Sequence, residues 1–320
     1  MKNKLNLSII IPTMNRYKTL TDTLESIYVG EYLPSQVIIV DQSNKKIYDN
    51  KLEEKLKNKF KDLSIEVLRQ QQQSLTKARN KGYKKAKNEY IVCCDDDIIC
   101  QKDTLKNIYD KFESNSSVAM ISAWDNKSIY KSKNKLTFYM GSIFGTKNLF
   151  KNPGHITKGI FGNYPDFHSG TIEVEWAMGY FFAFRKSLKD KWKIEWDEQL
   201  VSYAYPEDLD FSISFNNMCK LNGYKIIMDS DIRVSHIVSQ EWRITSYKST
   251  LMFVINREYL SYKHYNTCIS RVLTRWANIG EFIKRILRKD AAFDIIKAQI
   301  ICDKNRKLLK NKIIPKDIFE

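Results

Sequence analysis

The chain has 320 residues, with 53 Lys and Arg against 37 Asp and Glu for a formal net charge of +16, and 43% of it is hydrophobic. At roughly 100–200 residues per domain this allows one large domain or two modest ones, each with an ordinary core, and excludes a wholly disordered protein. Six Cys without a CxxC pair, no signal-peptide core and no run near the roughly 20 apolar residues of a spanning helix exclude a disulfide or zinc framework and a membrane-crossing protein, and point to reduced thiols in the cytoplasm.

The first 125 residues alternate short apolar runs with helical patterns, which predicts an α/β domain on a largely parallel sheet. Leu7–Ile11 reads as a strand ended by Pro12, followed by a helix carrying Leu20, Leu24, Ile27 and Tyr28. Val37–Val40 is a second strand ending at Asp41, Lys46–Phe60 a polar helix, and Ile65–Leu68 a third strand. Thr76–Ala86 is a helix, and the strand Tyr90–Cys94 runs directly into Asp95-Asp96-Asp97. A helix over Asp103–Phe112 and a strand over Val118–Trp124 complete this half. Ligands of open α/β sheets bind beyond the carboxyl ends of the strands, so Thr13, Asp41 and Asp95–Asp97 should converge on one crevice.

From about 125 to 175 the pattern dissolves, and eight of the seventeen Gly and Pro residues gather there. A binding loop or lid and a plain insertion both fit such a stretch. Regular pattern returns with Thr171–Trp176, Tyr180–Arg185, a helix over Leu209–Leu221, the strand Tyr224–Met228, and an alternating run ending at His236.

Three consecutive acids after an apolar strand repel one another, and a divalent cation resolves the repulsion. Oxygen ligands favour Mg²⁺ or Mn²⁺. An Asp-rich turn before the helix at Asp103 is the plain alternative. Pro206-Glu207-Asp208 sets two acids at a helix start, where they suit either a general base or the helix dipole. Lys77 and Arg79 suit a nucleotide phosphate, a sheet-edge carboxylate or a solvated face. The chain has no Walker loop, GxGxxG or GxSxG, which argues against P-loop phosphoryl transfer, dinucleotide-type dehydrogenation and serine hydrolysis.

Taken in order, Pro12-Thr13-Met14-Asn15-Arg16, Val37–Ser43, Ala78-Arg79-Asn80, Asp95-Asp96-Asp97 and Glu207-Asp208 resemble the family 2 glycosyltransferases of GT-A fold, over roughly residues 5–240. The resemblance implies a GT-A domain over 1–240, with a nucleotide-binding half at 1–125 and an acceptor-binding half at 126–240. A basic helical region follows at 241–320. Pro12, Thr13, Arg16, Asp41, Arg79, Asp95 and Asp96 would receive the nucleotide. Asp97, with Asp95 and His236, would hold Mn²⁺ or Mg²⁺. Asp208 would be the catalytic base with Glu207 beside it, and Trp176 and Gly179 would flank sugar and acceptor. The implied reaction is inverting transfer of a sugar, foremost from a UDP-sugar, to a glycan or lipid-linked glycan acceptor in cell-surface polysaccharide synthesis. A domain that binds nucleotide-sugar without turnover and a nucleic-acid binder are the competing classes. The latter lacks any recognisable binding motif, so no nucleic-acid partner is expected.

Residues 241–320 hold 17 Lys and Arg against 8 Asp and Glu. Within 267–289, Ile269, Val272, Leu273, Trp276, Ile279, Ile283, Ile286 and Leu287 fall at helical spacing among basic residues. Such a helix can lie in an anionic membrane interface, each Lys or Arg contributing about 1 kcal/mol. Alternatively, the same stripe packs on the catalytic domain or on another subunit. The protein is thus expected in the cytoplasm, with a peripheral site at the inner face of the cell membrane open.

Overall fold

The computed structural model describes residues 2–126, 135–147, 154–165, 169–238 and 246–319. In chain order the elements begin β1 (Asn3–Thr13), α1 (Tyr17–Tyr28), β2 (Tyr32–Asp41), α2 (Leu52–Lys59), β3 (Ile65–Arg69), α3 (Leu75–Tyr83), β4 (Tyr90–Cys94) and β5 (Ile98–Cys100). They continue with α4 (Thr104–Ser114), β6 (Val118–Asp125), α5 (Lys135–Ile143), β7 (Thr171–Val174), β8 (Phe181–Arg185), α6 (Lys186–Lys191), α7 (Glu207–Asn222) and β9 (Lys225–His236). The helices α8 (Ser246–His264), α9 (Cys268–Leu287), α10 (Phe293–Lys304) and α11 (Arg306–Lys310) follow.

The strands form one mixed sheet in the order β3-β2-β1-β4-β8-β6-β9-β5, with β7 also on β9. β3, β2, β1 and β4 are mutually parallel, which covers both faces with helices and explains why Ile9, Ile10 and Ile11 are all buried. β8 enters antiparallel between β4 and β6. The β1–β4 pairing stops at Ile10 opposite Cys93, so Pro12 is accommodated near the strand's end and β1 runs on to Thr13, past its predicted stop. Its last residue stands opposite Asp41, which brings two of the expected crevice residues side by side.

The helix predicted from Lys46 starts only at Leu52, because the Asp49 carboxylate accepts the Lys51 N–H and holds a turn there. The strand predicted over Tyr224–Met228 and the alternating run ending at His236 are one twelve-residue strand, β9. Gly223 separates it from α7 with a left-handed backbone (φ 73°), and its N–H closes the helix on the Cys219 carbonyl. The stretch expected to be irregular contains α5 and a short antiparallel bridge between Ile156 and Gly162. Its residues 127–134, 148–153 and 166–168 lie outside the described residues.

The expected boundary at 240 does not separate two cores. Leu251, Val254, Ile255, Tyr259 and Leu260 of α8 belong to the same apolar cluster as the sheet. α8 is fastened by charge as well: Lys263 Nζ lies 2.8 Å from Asp197 and 2.9 Å from Asp210, and His264 Nε2 lies 2.6 Å from Asp210. α9 behaves in the opposite way. It buries Ser270, Thr274, Ala277, Asn278 and Gly280 and turns most of the predicted apolar stripe outward, with Leu273 and Ile283 half-buried. The reading in which that stripe packs on the catalytic domain is therefore corrected. Small residues at the contact let the helix approach closely, and Gly280 is required because a Cβ there would come within 2.5 Å of Phe144.

Candidate active site

The carboxyl ends of β1, β2 and β4 open on one side of the sheet, as the strand order requires. Asp96 is fully buried and works internally: Thr13 Oγ1 donates to it at 2.6 Å, and the Arg16 guanidinium sits 2.6 Å away. Arg16 also reaches Asp97 at 3.5 Å, so it links the loop after β1 to the acidic turn. Asp41 is equally buried, accepting from the Tyr17 hydroxyl and the Ser43 N–H, both at 2.8 Å. Asn15, left-handed at φ 60°, ties this loop to the second one by donating its N–H to Ser43 Oγ at 2.8 Å.

Asp95, Asp97 and His236 converge, with one ligand atom of each lying within 4.8 Å of the others. His236 Nε2 lies 3.3 Å from Asp97 Oδ1. The cause is the antiparallel pairing of β5 with β9, which sets Ile98 opposite His236 and delivers the imidazole to the residue before Ile98. Loss of solvation raises the Asp95 carboxyl to about 7; Arg79 opposes the shift and the neighbouring Asp97 adds to it. Burial also raises Asp96, to about 6, against the pull of Arg16 and Thr13. Burial works to lower His236, but its bond to Asp97 and the surrounding carboxylates prevail and its pKa rises. Two carboxylates and an imidazole that share negative potential in a small space form a donor set that fits a divalent cation such as Mn²⁺ or Mg²⁺.

Arg79 is buried and holds carboxylates, the partner other than phosphate that the sequence allowed it. Only 1% exposed, it donates from Nη1 to Glu207 at 2.7 Å and from Nη2 to the Gly179 carbonyl at 2.7 Å, with Asp95 at 3.4 Å. Its guanidinium thus bolts the acidic turn to the start of α7. The carboxylates of Glu207 and Asp95 outweigh the cost of burying its charge and raise its pKa. Glu207 is spent on this bond, whereas among the described residues Asp208 beside it takes backbone donors: Leu209 N–H at 2.8 Å and Gly179 N–H at 3.3 Å. Desolvation and the adjacent Glu207 charge push Asp208 up to about 7, with those N–H groups and Arg79 opposing. It is a carboxyl poised to exchange a proton near neutral pH.

Gly179 serves both acids. A Cβ there would lie 3.1 Å from Asp208 Cβ and 3.1 Å from Glu207 Oε1, tighter than ordinary contact. Gly179→Ala should therefore displace both carboxyls, with overpacking of about 1–3 kcal/mol. We expect a lower kcat at unchanged donor KM. Steady-state kinetics check this, and an unchanged kcat would show that the Gly179 contact is not needed. Trp176 lies farther back, buried, with Gly162 so close to its ring that a Cβ would come within 2.5 Å. Sequence reasoning missed Tyr17, Ser43 and Asp210. Tyr17 carries no motif, Ser43 lies in the segment after β2 but was given no role, and Asp210 lies only two residues beyond Asp208, where its burial against Lys263 and His264 is invisible without the fold.

Comparison with known proteins bears on the family and the fold. Glucosyl-dolichyl phosphate glucuronosyltransferase of Haloferax volcanii is 23% identical over 121 residues, which are 37% of this chain and 37% of that protein. The chain thus spans little more than a third of that curated relative. Among solved structures, S. aureus TarS 1–349 in complex with UDP-GlcNAc matches all of this chain and 89% of its own, at 18% identity and a TM-score of 0.54. Mannosyltransferase PcManGT from Pyrobaculum calidifontis, in complex with GDP-Man and Mn²⁺, matches 95% of this chain and 80% of its own, at 14% identity and a TM-score of 0.52. These likenesses show the GT-A fold. The model of glycosyl transferase family 2 matches residues 8–192, more than half of the chain, so this protein belongs to that family and is a glycosyltransferase.

Proposed function

We propose that the protein is an inverting, metal-dependent glycosyltransferase that moves a sugar from a nucleoside-diphosphate donor to a glycan or lipid-linked glycan acceptor in cell-surface polysaccharide synthesis. The observation that carries this reading is the division of the acids into two stations: Asp95 and Asp97 with His236, and Asp208 alone on backbone donors. Asp95, Asp97 and His236 would hold Mn²⁺ or Mg²⁺, which when bound supplies Lewis-acid stabilisation of charge on the departing diphosphate. Pro12, Thr13, Arg16 and Asp41 form the floor on which the nucleotide would rest, and Asp96 and Arg79 keep that floor in place. Asp208 takes the proton of the acceptor hydroxyl as that oxygen attacks the anomeric carbon from the face opposite the leaving group, and the configuration inverts.

TarS was solved with UDP-GlcNAc and PcManGT with GDP-Man, and we take a UDP-sugar as the donor to test first. A lipid-linked acceptor would be met at the inner face of the cell membrane by a protein that docks there; no described helix is long and apolar enough to cross it. The test is turnover of a panel of nucleotide-sugars with and without Mn²⁺, with the product anomer read by NMR. Retention of configuration, or turnover indifferent to chelator, would overturn the proposal. Asp97→Ala should raise the Mn²⁺ Kd at least about tenfold and weaken nucleotide binding with it. Calorimetry measures both, and an unaltered Mn²⁺ isotherm would remove Asp97 from the ligand set.

A further inference from the structure

Among the described residues, nothing covers the outward face of α9. Ile269, Val272, Trp276, Ile279, Ile283 and Ile286 recur at alternating steps of three and four, and Val272 is 64% exposed. The end of α5 meets one side of this stripe: Trp276 Nε1 donates to the Ile143 carbonyl at 2.7 Å, and the Trp276 and Phe144 rings are 5.2 Å apart. α10 lies along the other, with Asn278 donating to Gln299 at 3.0 Å and Phe282 meeting Phe293 edge-on at 5.9 Å. Both flanks extend the apolar face, since Ile143 is 65% and Phe293 68% exposed. A contiguous apolar surface spanning three helices of an otherwise polar chain marks an interaction site.

Charge decides what sits there. Residues 268–312 carry 12 Lys and Arg but only 4 acids, and three of these acids are engaged locally: Glu281 with Lys284, Asp294 with Lys297 and Asp303 with Arg275. A second copy would bring the same positive rim against this one, whereas an anionic bilayer brings the opposite sign. Arg288 and Lys289, both exposed at the end of α9, stand beside Ile286 and Leu287. We propose that the α5–α9–α10 face docks the protein on an anionic lipid bilayer, the apolar residues entering the headgroup boundary and the basic rim remaining among the lipid phosphates.

The docked face and the acceptor side of the crevice are one piece. Ser270 Oγ donates to the Lys158 carbonyl at 2.8 Å, so α9 carries the 154–165 segment, whose Gly162 backs onto Trp176 three residues before Gly179. On this proposal a lipid-linked acceptor in a bilayer under α9 reaches the crevice along this segment. This purpose rests on the proposed function, whereas the docking itself does not.

The test is co-sedimentation of the full chain with phosphatidylcholine vesicles, with and without phosphatidylglycerol. We expect binding only to the anionic vesicles and release in 1 M salt, where the screening length falls to about 3 Å. Combined Val272→Glu, Ile279→Glu and Ile286→Glu should weaken binding at least about tenfold. The exposed pair Arg288→Glu and Lys289→Glu should do the same and guards against misfolding of the first variant. Absence of sedimentation, unaltered binding of both variants, or a dimer that Val272→Glu converts to a monomer would each overturn the proposal. Donor turnover with a soluble acceptor is measured on the same samples. Its loss would count against the glycosyl-transfer reading, and its persistence without vesicle binding against the docking alone.

Discussion

Replacing Asp208 with Asn is expected to lower kcat by about 10²–10⁴-fold, the range over which a positioned base contributes, while nucleotide-sugar binding stays close to wild type. The expectation follows from how Asp208 is held. Asn is nearly isosteric and can still accept from the Leu209 and Gly179 N–H groups, so position survives and only the proton acceptor is lost. The pH dependence has a definite sign. Asp208 titrates near 7, raised by burial and by Glu207, with Arg79 and the Gly179 and Leu209 N–H groups opposing. kcat/KM should therefore fall as pH drops below about 7. Because the folded pKa lies above the unfolded one, Asp208 binds its proton more tightly in the native state, and its contribution to stability declines as pH rises from about 4 to about 7. Asp208→Asn removes that decline, so the inactive variant should melt no lower than wild type at neutral pH. A variant that melts early, or that retains transfer, would take the base role away from Asp208.

Arg79→Ala has the largest expected effect on the fold. It leaves Glu207 buried without its cation and removes the guanidinium that joins Asp95 to α7. Breaking a buried pair from one side costs about 3–5 kcal/mol. Arg79→Lys separates geometry from charge, since an ammonium cannot span Glu207, the Gly179 carbonyl and Asp95 as the planar fork does. We expect Lys to restore part of the lost stability but not the rate. In Arg79→Ala the pH–rate limb should move upward, because Arg79 is one of the groups that hold Asp208 down. Thermal melts and pH–rate profiles of the two variants measure this. An Arg79→Lys enzyme with wild-type kcat and an unmoved limb would reduce Arg79 to a replaceable strut.

The first hundred residues were legible because their information is local. A buried parallel strand is a continuous apolar run, and polar residues just beyond its end face the crevice, so Thr13, Asp41 and Asp95–Asp97 could be placed from sequence alone. His236 was marked only by its polarity and the family resemblance, since the β5–β9 pairing that brings it to Asp97 joins segments more than 130 residues apart. Arg79 shows a different limit: a basic residue at a helix start reads alike whether its guanidinium meets solvent or is sealed between Glu207 and Gly179. The stripe of α9 shows a third. Periodicity reveals that a helix has two faces, but Ser270, Thr274 and Gly280 were the ones turned inward, because close approach to Phe144 and Lys158 required small side chains.

The fastening of α8 bears on how the molecule is assembled during synthesis. The helix that presents Asp208 is held from behind through Asp210, whose partners Lys263 and His264 are translated more than 50 residues later. Gln199, in the segment leading to that helix, donates to the carbonyl of Lys312 at 2.8 Å. β1, β2 and β3, by contrast, find all their strand neighbours within the first hundred residues. On the ribosome the donor side can therefore take shape early, while the acid that would accept the acceptor's proton stays loosely held until the basic C-terminal helices have emerged. A polypeptide interrupted after residue 240 would keep its strands but lose the Lys263 and His264 contacts that hold α7 through Asp210.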